Sequence, residues 1–130
     1  MFAALMAVSA MSVPSSAKSV SGTVGGIPCG GSNLITADYG SANTYASERM
    51  TLNVNLTYQY VEVVGSKRNI ITKNPSNANS PVTNITTSYH KPSGGNIYSY
   101  ACKSSHNAVY TSPVPGDSDT WFGVTRWEYY

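Results

Sequence analysis

At 130 residues the chain has room for one domain, and a charged fraction of only 11%, well under the roughly 25% typical of soluble domains, leaves its surface to be wet by hydroxyls and amides. The formal net charge is +2, and the only adjacent basic pair is Lys67-Arg68. No basic stripe exists to track a phosphate backbone, so nucleic acid is excluded as an expected partner.

The chain opens on Met1-Phe2-Ala3-Ala4-Leu5-Met6-Ala7-Val8-Ser9-Ala10-Met11, an apolar run of signal-peptide length that is too short to span a bilayer. Ser15-Ser16-Ala17 then supplies small residues at the −3 and −1 positions of a cleavage site, which places the cut before Lys18. The expectation is a signal peptide over residues 1–17 and a single secreted or surface-bound β domain over 18–130, with no transmembrane anchor once the leader is removed. No Lys or Arg precedes the run, which departs from the usual positive n-region and leaves the native start open. The other reading, an N-terminal core helix, is opposed by Pro14 and the serines after it.

Two cysteines, Cys29 and Cys102, make an even count in a small exported chain, and the simplest reading is one disulfide. Closing so long a loop stabilises a fold by up to about 4 kcal/mol in the chain-entropy model. The alternative is a pair of buried free thiols. Neither cysteine has a His or a second Cys at ligand spacing, so no metal site and no cofactor are expected.

Beyond the leader, apolar residues alternate with period two. Weak strands are read at residues 20–24 and 42–47, joined through the glycine-rich segment that carries Cys29. The clearest strand has Leu52, Val54, Leu56, Tyr58 and Tyr60 facing one way and Thr51, Asn53, Asn55, Thr57 and Gln59 the other. Tyr60 and Val61 then break the phase, which predicts a β-bulge or a strand that changes sheet. Gly65-Ser66 turns the chain into a short strand over 68–73, and residues 74–81 read as an exposed, mobile polar loop.

A strand over 82–90 puts Ile85, Thr87 and Tyr89 on one face, and residues 91–96 form a hairpin connection. A long strand over 97–110 follows, with Tyr98, Tyr100, Cys102, Ser104, His106, Ala108 and Tyr110 assigned to a single face. After a Pro- and Gly-rich loop at 112–117, a last strand from Thr120 to the C-terminus is apolar on both faces and is expected to be central. Six to eight strands predict an all-β domain, a small antiparallel two-sheet sandwich, with a small β-barrel as the alternative.

No motif for chemistry emerges. Asp117-Ser118-Asp119 lacks the further ligands and closing Glu of a calcium loop and reads as turn chemistry. No two of the six carboxylates are selected as a glycosidase pair. Ser104 and His106 share a face, but as parallel neighbours with no Asp to orient the ring, and His106 is read as a hydrogen-bonded strand residue. His90 and His106 lack a third metal ligand. Catalytic residues are therefore assigned to none.

Ten Tyr and two Trp stand against two Phe. Such rings offer stiff apolar surface with a polar handle, suited to sugar faces, headgroups and protein partners, although core packing accounts for most of them. Trp121, Trp127, Tyr129 and Tyr130, near the chain end, are the candidate ligand-binding aromatics. The sequons at Asn55 and Asn84 matter only in a eukaryotic secretory route.

The leader, the Ser105-His106-Asn107-Ala108-Val109 stretch on a Ser/Tyr-rich strand and the aromatic terminal segment from Trp121 to Tyr130 together resemble the secreted lactococcin-like β-sandwich bacteriocins, over about the last forty residues. That resemblance implies binding of a cell-wall precursor at the septum of sensitive bacteria, and it transfers no catalytic residues. Three classes of function follow. The first is a secreted, non-enzymatic module that binds a cell-envelope glycan or lipid-linked precursor through an open aromatic patch. The second is a structural or adhesive subunit that self-associates through strand edges. The third is a hydrolase whose carboxylates or histidines converge in a pocket.

Overall fold

A computed structural model of the chain describes residues 15–114 and 116–130. The fold is all-β, and the strands are β1 (Ser15–Val24), β2 (Ile27–Thr36), β3 (Tyr39–Val64), β4 (Lys67–Lys73), β5 (Ser76–His90), β6 (Ile97–Thr111), β7 (Ser118–Val124) and β8 (Glu128–Tyr129). All lie in one antiparallel sheet ordered β1-β2-β3-β6-β7, with β4 and β5 paired to β3 and β8 paired to β6. The sheet is strongly curled into a half-barrel.

The two layers expected of a sandwich are thus halves of one sheet, and β3 is the reason. Its first half pairs with β2 through Gly40 to Ala46 and its second with β6 through Thr51 to Glu62. The residues expected as two strands, 42–47 and 51–64, are one continuous strand. Where it curls, the Thr44 hydroxyl reaches the Asn53 carbonyl at 2.9 Å. On the opposite edge of β3, β4 and β5 run end to end, and only residues 74 and 75 interrupt them.

The run over 74–81 is therefore not a loop beyond those two residues. Ser76 to Asn79 pair with Asn55 to Leu52, and an edge of β3 that would otherwise leave its backbone groups unpaired finds partners there. The exposure expected of this stretch holds, because residues 76–81 are all exposed.

Two-residue turns set the hairpins. Gly25 and Gly26, with φ of 56° and 78°, join β1 to β2, and Gly65, with φ of 62°, joins β3 to β4. The glycine-rich segment with Cys29 is strand β2 rather than a connection. It has room for opposing rings, since a Cβ on Gly31 would lie 2.2 Å from the His106 imidazole.

The core is the inward row of β3, namely Met50, Leu52, Val54, Leu56 and Tyr58, packed with Val24, Ile27, Ile35 and Ile85. Tyr60 and Val61 are both buried, and the bulge expected there is real: the β3–β6 register slips between Gln59 and Tyr60, passing over Tyr100. The same bulge breaks the single face assigned to β6. Ser99, Cys102, Ser104, His106 and Ala108 are buried while Tyr98 is exposed.

Cys29 and Cys102 are buried free thiols, which corrects the disulfide expectation. Each occupies a core-facing place of its own, Cys29 opposite Ala46 and Cys102 opposite Tyr58. Burial, with Glu128 adding to it, pushes the Cys102 thiol up to about 12, and burial with Asp119 raises Cys29.

The last segment is not a central strand. β7 ends the hydrogen-bonded order, residues 125–127 leave the sheet, and β8 contributes two residues. Its second apolar row faces outward, with Phe122 64% exposed and Val124 also exposed. The curl brings β7 up to β1 without backbone pairing, and side chains close that seam. Asp119 accepts a hydrogen bond from the Gly25 amide at 2.8 Å, Lys18 meets Glu128 at 3.3 Å, and the Trp121 indole sits on Gly22 and Gly123.

Most of the expected leader lies outside the described residues. Its last three, Ser15, Ser16 and Ala17, belong to β1 and pair with Thr36, Ile35 and Leu34, so the cleavage point read before Lys18 falls inside a strand.

Candidate functional site

Three places bring chemistry-bearing side chains together: a buried polar chain, an outward aromatic face and an outward groove. The buried chain begins on β3. The Thr44 hydroxyl donates to the Asn53 carbonyl, so its oxygen is the acceptor for His106 Nδ1 at 2.8 Å. That fixes the imidazole proton on Nδ1 and leaves Nε2 to accept from the Ser104 hydroxyl at 2.7 Å. Ser104 Oγ in turn accepts from the Thr125 hydroxyl at 3.0 Å. Thr125 Oγ1 accepts from the Asn33 amide at 2.6 Å and from the Ser104 backbone N–H at 2.9 Å.

The chain ties β2 and both halves of β3 to β6 and the segment after β7. Burial holds the His106 imidazole down at about 4, so it is neutral at physiological pH. Ser104 and His106 do meet, where parallel neighbours were expected. A hydroxyl on an imidazole nitrogen is the arrangement of a nucleophile and its base. Here, however, the second ring nitrogen faces Thr44 rather than a carboxylate, and Ser104 is 4% exposed and His106 1%. With both side chains so enclosed and no carboxylate on the ring, the chain ties the strands together.

His90, the other histidine, stacks on Tyr39 at 4.7 Å at the far end of β5, away from His106. Among the described residues no group of three or more His, Cys, Asp and Glu is placed to hold a metal ion.

The aromatic face lies outward on β6 and the C-terminal segment. Tyr129 is 56% exposed, packs edge-on to Tyr100 with centroids 5.6 Å apart, and lies 6.5 Å from Trp127. The Lys103 ammonium sits 4.8 Å above the Trp127 ring. Tyr130 is exposed beside them, and its amide donates to the Tyr100 carbonyl. Phe122 and Val124 are exposed along β7, and Val124 borders a 310 Å³ depression lined also by Asn55, Thr57, Lys103, Ser104, Ser105 and Thr125.

Of the four aromatics expected to bind ligand, Trp127 and Tyr129 are therefore brought together, and Tyr130 is exposed at the next position. Trp121 is not, since its indole is packed at the seam with the core. Tyr58, Tyr60 and Tyr89 form an inward cluster with centroids 6.0 to 6.4 Å apart, which is the core packing expected for most tyrosines.

The third place is a groove of 730 Å³ on the outward face of β2, β3 and β5. Of its residues, Asn84 and Thr86 belong to a sequon, while Ser32, Ser41 and Asn43 carry no mark in the sequence. The only signal for them is the register that sets Asn43 beside Ser32 on one side and Thr86 on the other, and that register joins positions far apart in the chain.

No known family model matches this chain, and no curated protein matches it either.

Proposed function

We propose that this protein is a secreted, non-enzymatic binding module that takes a cell-envelope glycan or lipid-linked precursor on the outward face of β6 and β8. The observation that carries the reading is the aromatic group of half-buried Tyr100 and Trp127 with exposed Tyr129, with Lys103 over Trp127 and Tyr130 exposed at the next position. Phe122, Val124, Tyr129 and Tyr130 all leave apolar surface in water, which a partner would cover. The rings suit the CH faces of sugars, Lys103 is the one cation within the cluster, and Phe122 and Val124 suit an acyl or prenyl chain. The likeness of residues 105–109 and 121–130 to lactococcin-like bacteriocins points to the same kind of target.

The test is co-sedimentation with isolated peptidoglycan and with vesicles carrying a lipid-linked cell-wall precursor. Each aromatic ring contributes about 1 kcal/mol, so the pair Trp127→Ala and Tyr129→Ala weakens binding about thirtyfold. No binding to either material, or binding indifferent to both substitutions, refutes the reading.

One observation favours a self-associating surface subunit as the second reading. Among the described residues β5 is paired only with β3, and from Ser76 to His90 it carries no Lys, Arg, Asp or Glu to guard its outer edge. Sedimentation velocity across an about hundredfold concentration range separates the two: a constant monomer supports the binding module and concentration-dependent growth supports the subunit.

A further inference from the structure

Where β7 ends, the strand pairing leaves one residue over. Ser105 lies opposite Val124 and Cys102 opposite Glu128, so Lys103 and Ser104 of β6 face three residues, Thr125, Arg126 and Trp127. An extra residue of this kind re-aims the side chains beside it. Val124 is exposed, Thr125 buried and Arg126 exposed, and Trp127, in place of returning to the interior, lies under the Lys103 ammonium at 4.8 Å. Lys103 and Arg126 thus reach solvent from the same step of the sheet.

The 310 Å³ depression at this step is lined by Lys103 and by Asn55 and Ser105, which face each other across β3 and β6. Among the described residues neither the Asn55 amide nor the Ser105 hydroxyl has a hydrogen-bond partner, and Lys103 and Arg126 meet no carboxylate. Glu128, the nearest carboxylate in sequence, is turned to Lys18 at the seam. Lys103 rests on the Trp127 ring on one side and keeps N–H groups to give on the other. Thr57 adds no donor, since its hydroxyl proton goes to Asn74. What remains is donors and positive charge, which repel a metal cation and suit an oxyanion.

Position along the face selects among oxyanions. Following β6, Tyr129 lies opposite Ala101, Trp127 under Lys103, Val124 opposite Ser105 and Phe122 opposite Asn107. The donors therefore stand between the rings that suit a sugar and the apolar pair that suits a hydrocarbon chain. A carboxylate ends a molecule, whereas a phosphate joins two parts of one. We infer that the depression beside Lys103 takes the phosphate that links glycan to lipid in an envelope precursor, with Lys103, Asn55 and Ser105 as donors and Arg126 flanking. This rests on the outward face being the site for such a precursor, and it adds the one group that neither the rings nor the apolar pair recognises.

The test is an amide-resonance titration of the full chain, at constant ionic strength, with inorganic phosphate and with acetate. Co-sedimentation with vesicles carrying the lipid-linked precursor and with vesicles of phosphatidylglycerol runs beside it. Phosphate shifts Asn55, Lys103, Ser105 and Arg126 saturably, and acetate does not. Lys103→Gln weakens the phosphate response about tenfold, whereas Tyr129→Ala leaves it unchanged, and both weaken sedimentation with the precursor vesicles. The inference is overturned if phosphate shifts none of these amides, if acetate shifts them equally, or if Lys103→Gln changes nothing. Phosphatidylglycerol vesicles binding as tightly as precursor vesicles also overturn it, because the phosphate is then a headgroup's. Failure of the phosphate titration while Tyr129→Ala still weakens sedimentation removes this inference alone. Sedimentation with neither peptidoglycan nor precursor vesicles removes the proposed function and this inference with it.

Discussion

The polar chain around His106 and the aromatic face around Trp127 invert the usual distribution of residues, and they do so for opposite reasons. Inside, Asn33, Thr44, Ser104, His106 and Thr125 sit where water is absent, and each hydrogen bond has one donor and one acceptor. Outside, Phe122, Val124, Tyr129 and Tyr130 sit in water with apolar surface uncovered. A buried polar group that is fully satisfied fixes one arrangement of the strands, while an exposed apolar cluster is unfinished business for a partner. Nearness of a serine to a histidine is therefore not what marks function in this molecule. Access is.

Breaking the inner region carries the largest expected effect on stability. Gly31→Ala drives a methyl into the His106 ring, and with β2 held by β1 and β3 on both edges the strand has no direction in which to yield. The expected loss is about 3 kcal/mol, read by urea unfolding. Acid gives an effect of about the same size by a different route. The His106 imidazole has its proton affinity lowered from 6.5 to about 4 in the fold, so the unfolded chain binds that proton first. Stability from this residue is complete above pH 6.5 and is lost as pH falls toward 4, by about 3 kcal/mol in all. His106→Gln should flatten that part of the pH profile, whatever it does to stability at neutral pH.

Thr44→Val sharpens the account of the tautomer. It keeps the shape but removes the acceptor for His106 Nδ1 and the donor to Asn53, at an expected cost of about 2 kcal/mol. The imidazole nitrogen shifts in an NMR spectrum should then lose the signature of a single Nδ1–H form. The smallest effect concerns the thiols. A reducing agent should leave the melting temperature unchanged, and a thiol reagent should titrate Cys29 and Cys102 only on unfolding, because both are buried and unbonded.

Much of this architecture was legible because strand alternation is local. Leu52 to Tyr60, the slip at Tyr60 and Val61, and the face of Ile85, Thr87 and Tyr89 can all be read two residues at a time, and the structure carries each of them. What depended on pairing was not legible. Residues 76–79 look like loop because no apolar residue anchors them, yet the edge of β3 recruits them. Gly30 and Gly31 look like a connection until the rings of Tyr45 and His106 are seen to need their missing side chains.

The terminal segment misled in a different way. Two apolar rows suggest burial on both sides, whereas β7 buries only the row with Trp121 and leaves Phe122 and Val124 in solvent. The aromatic group was half legible: Trp127, Tyr129 and Tyr130 could be named from their position, but Tyr100 and Lys103 join them only through the pairing of β6 with β8. The cysteine count suggested a bond that the separate core positions of Cys29 and Cys102 do not make.

The central claim is that the outward aromatic face is where this protein meets its target, and Trp127 reports on it directly. The chain has two tryptophans, so Trp121→Phe leaves Trp127 as the sole indole emitter. Titrating that variant with soluble peptidoglycan fragments and with vesicles bearing the lipid-linked precursor should give a saturable blue shift with one of them, lost in Tyr129→Ala. A Trp127 emission unchanged by both, while either material still binds the protein in sedimentation, would contradict the account.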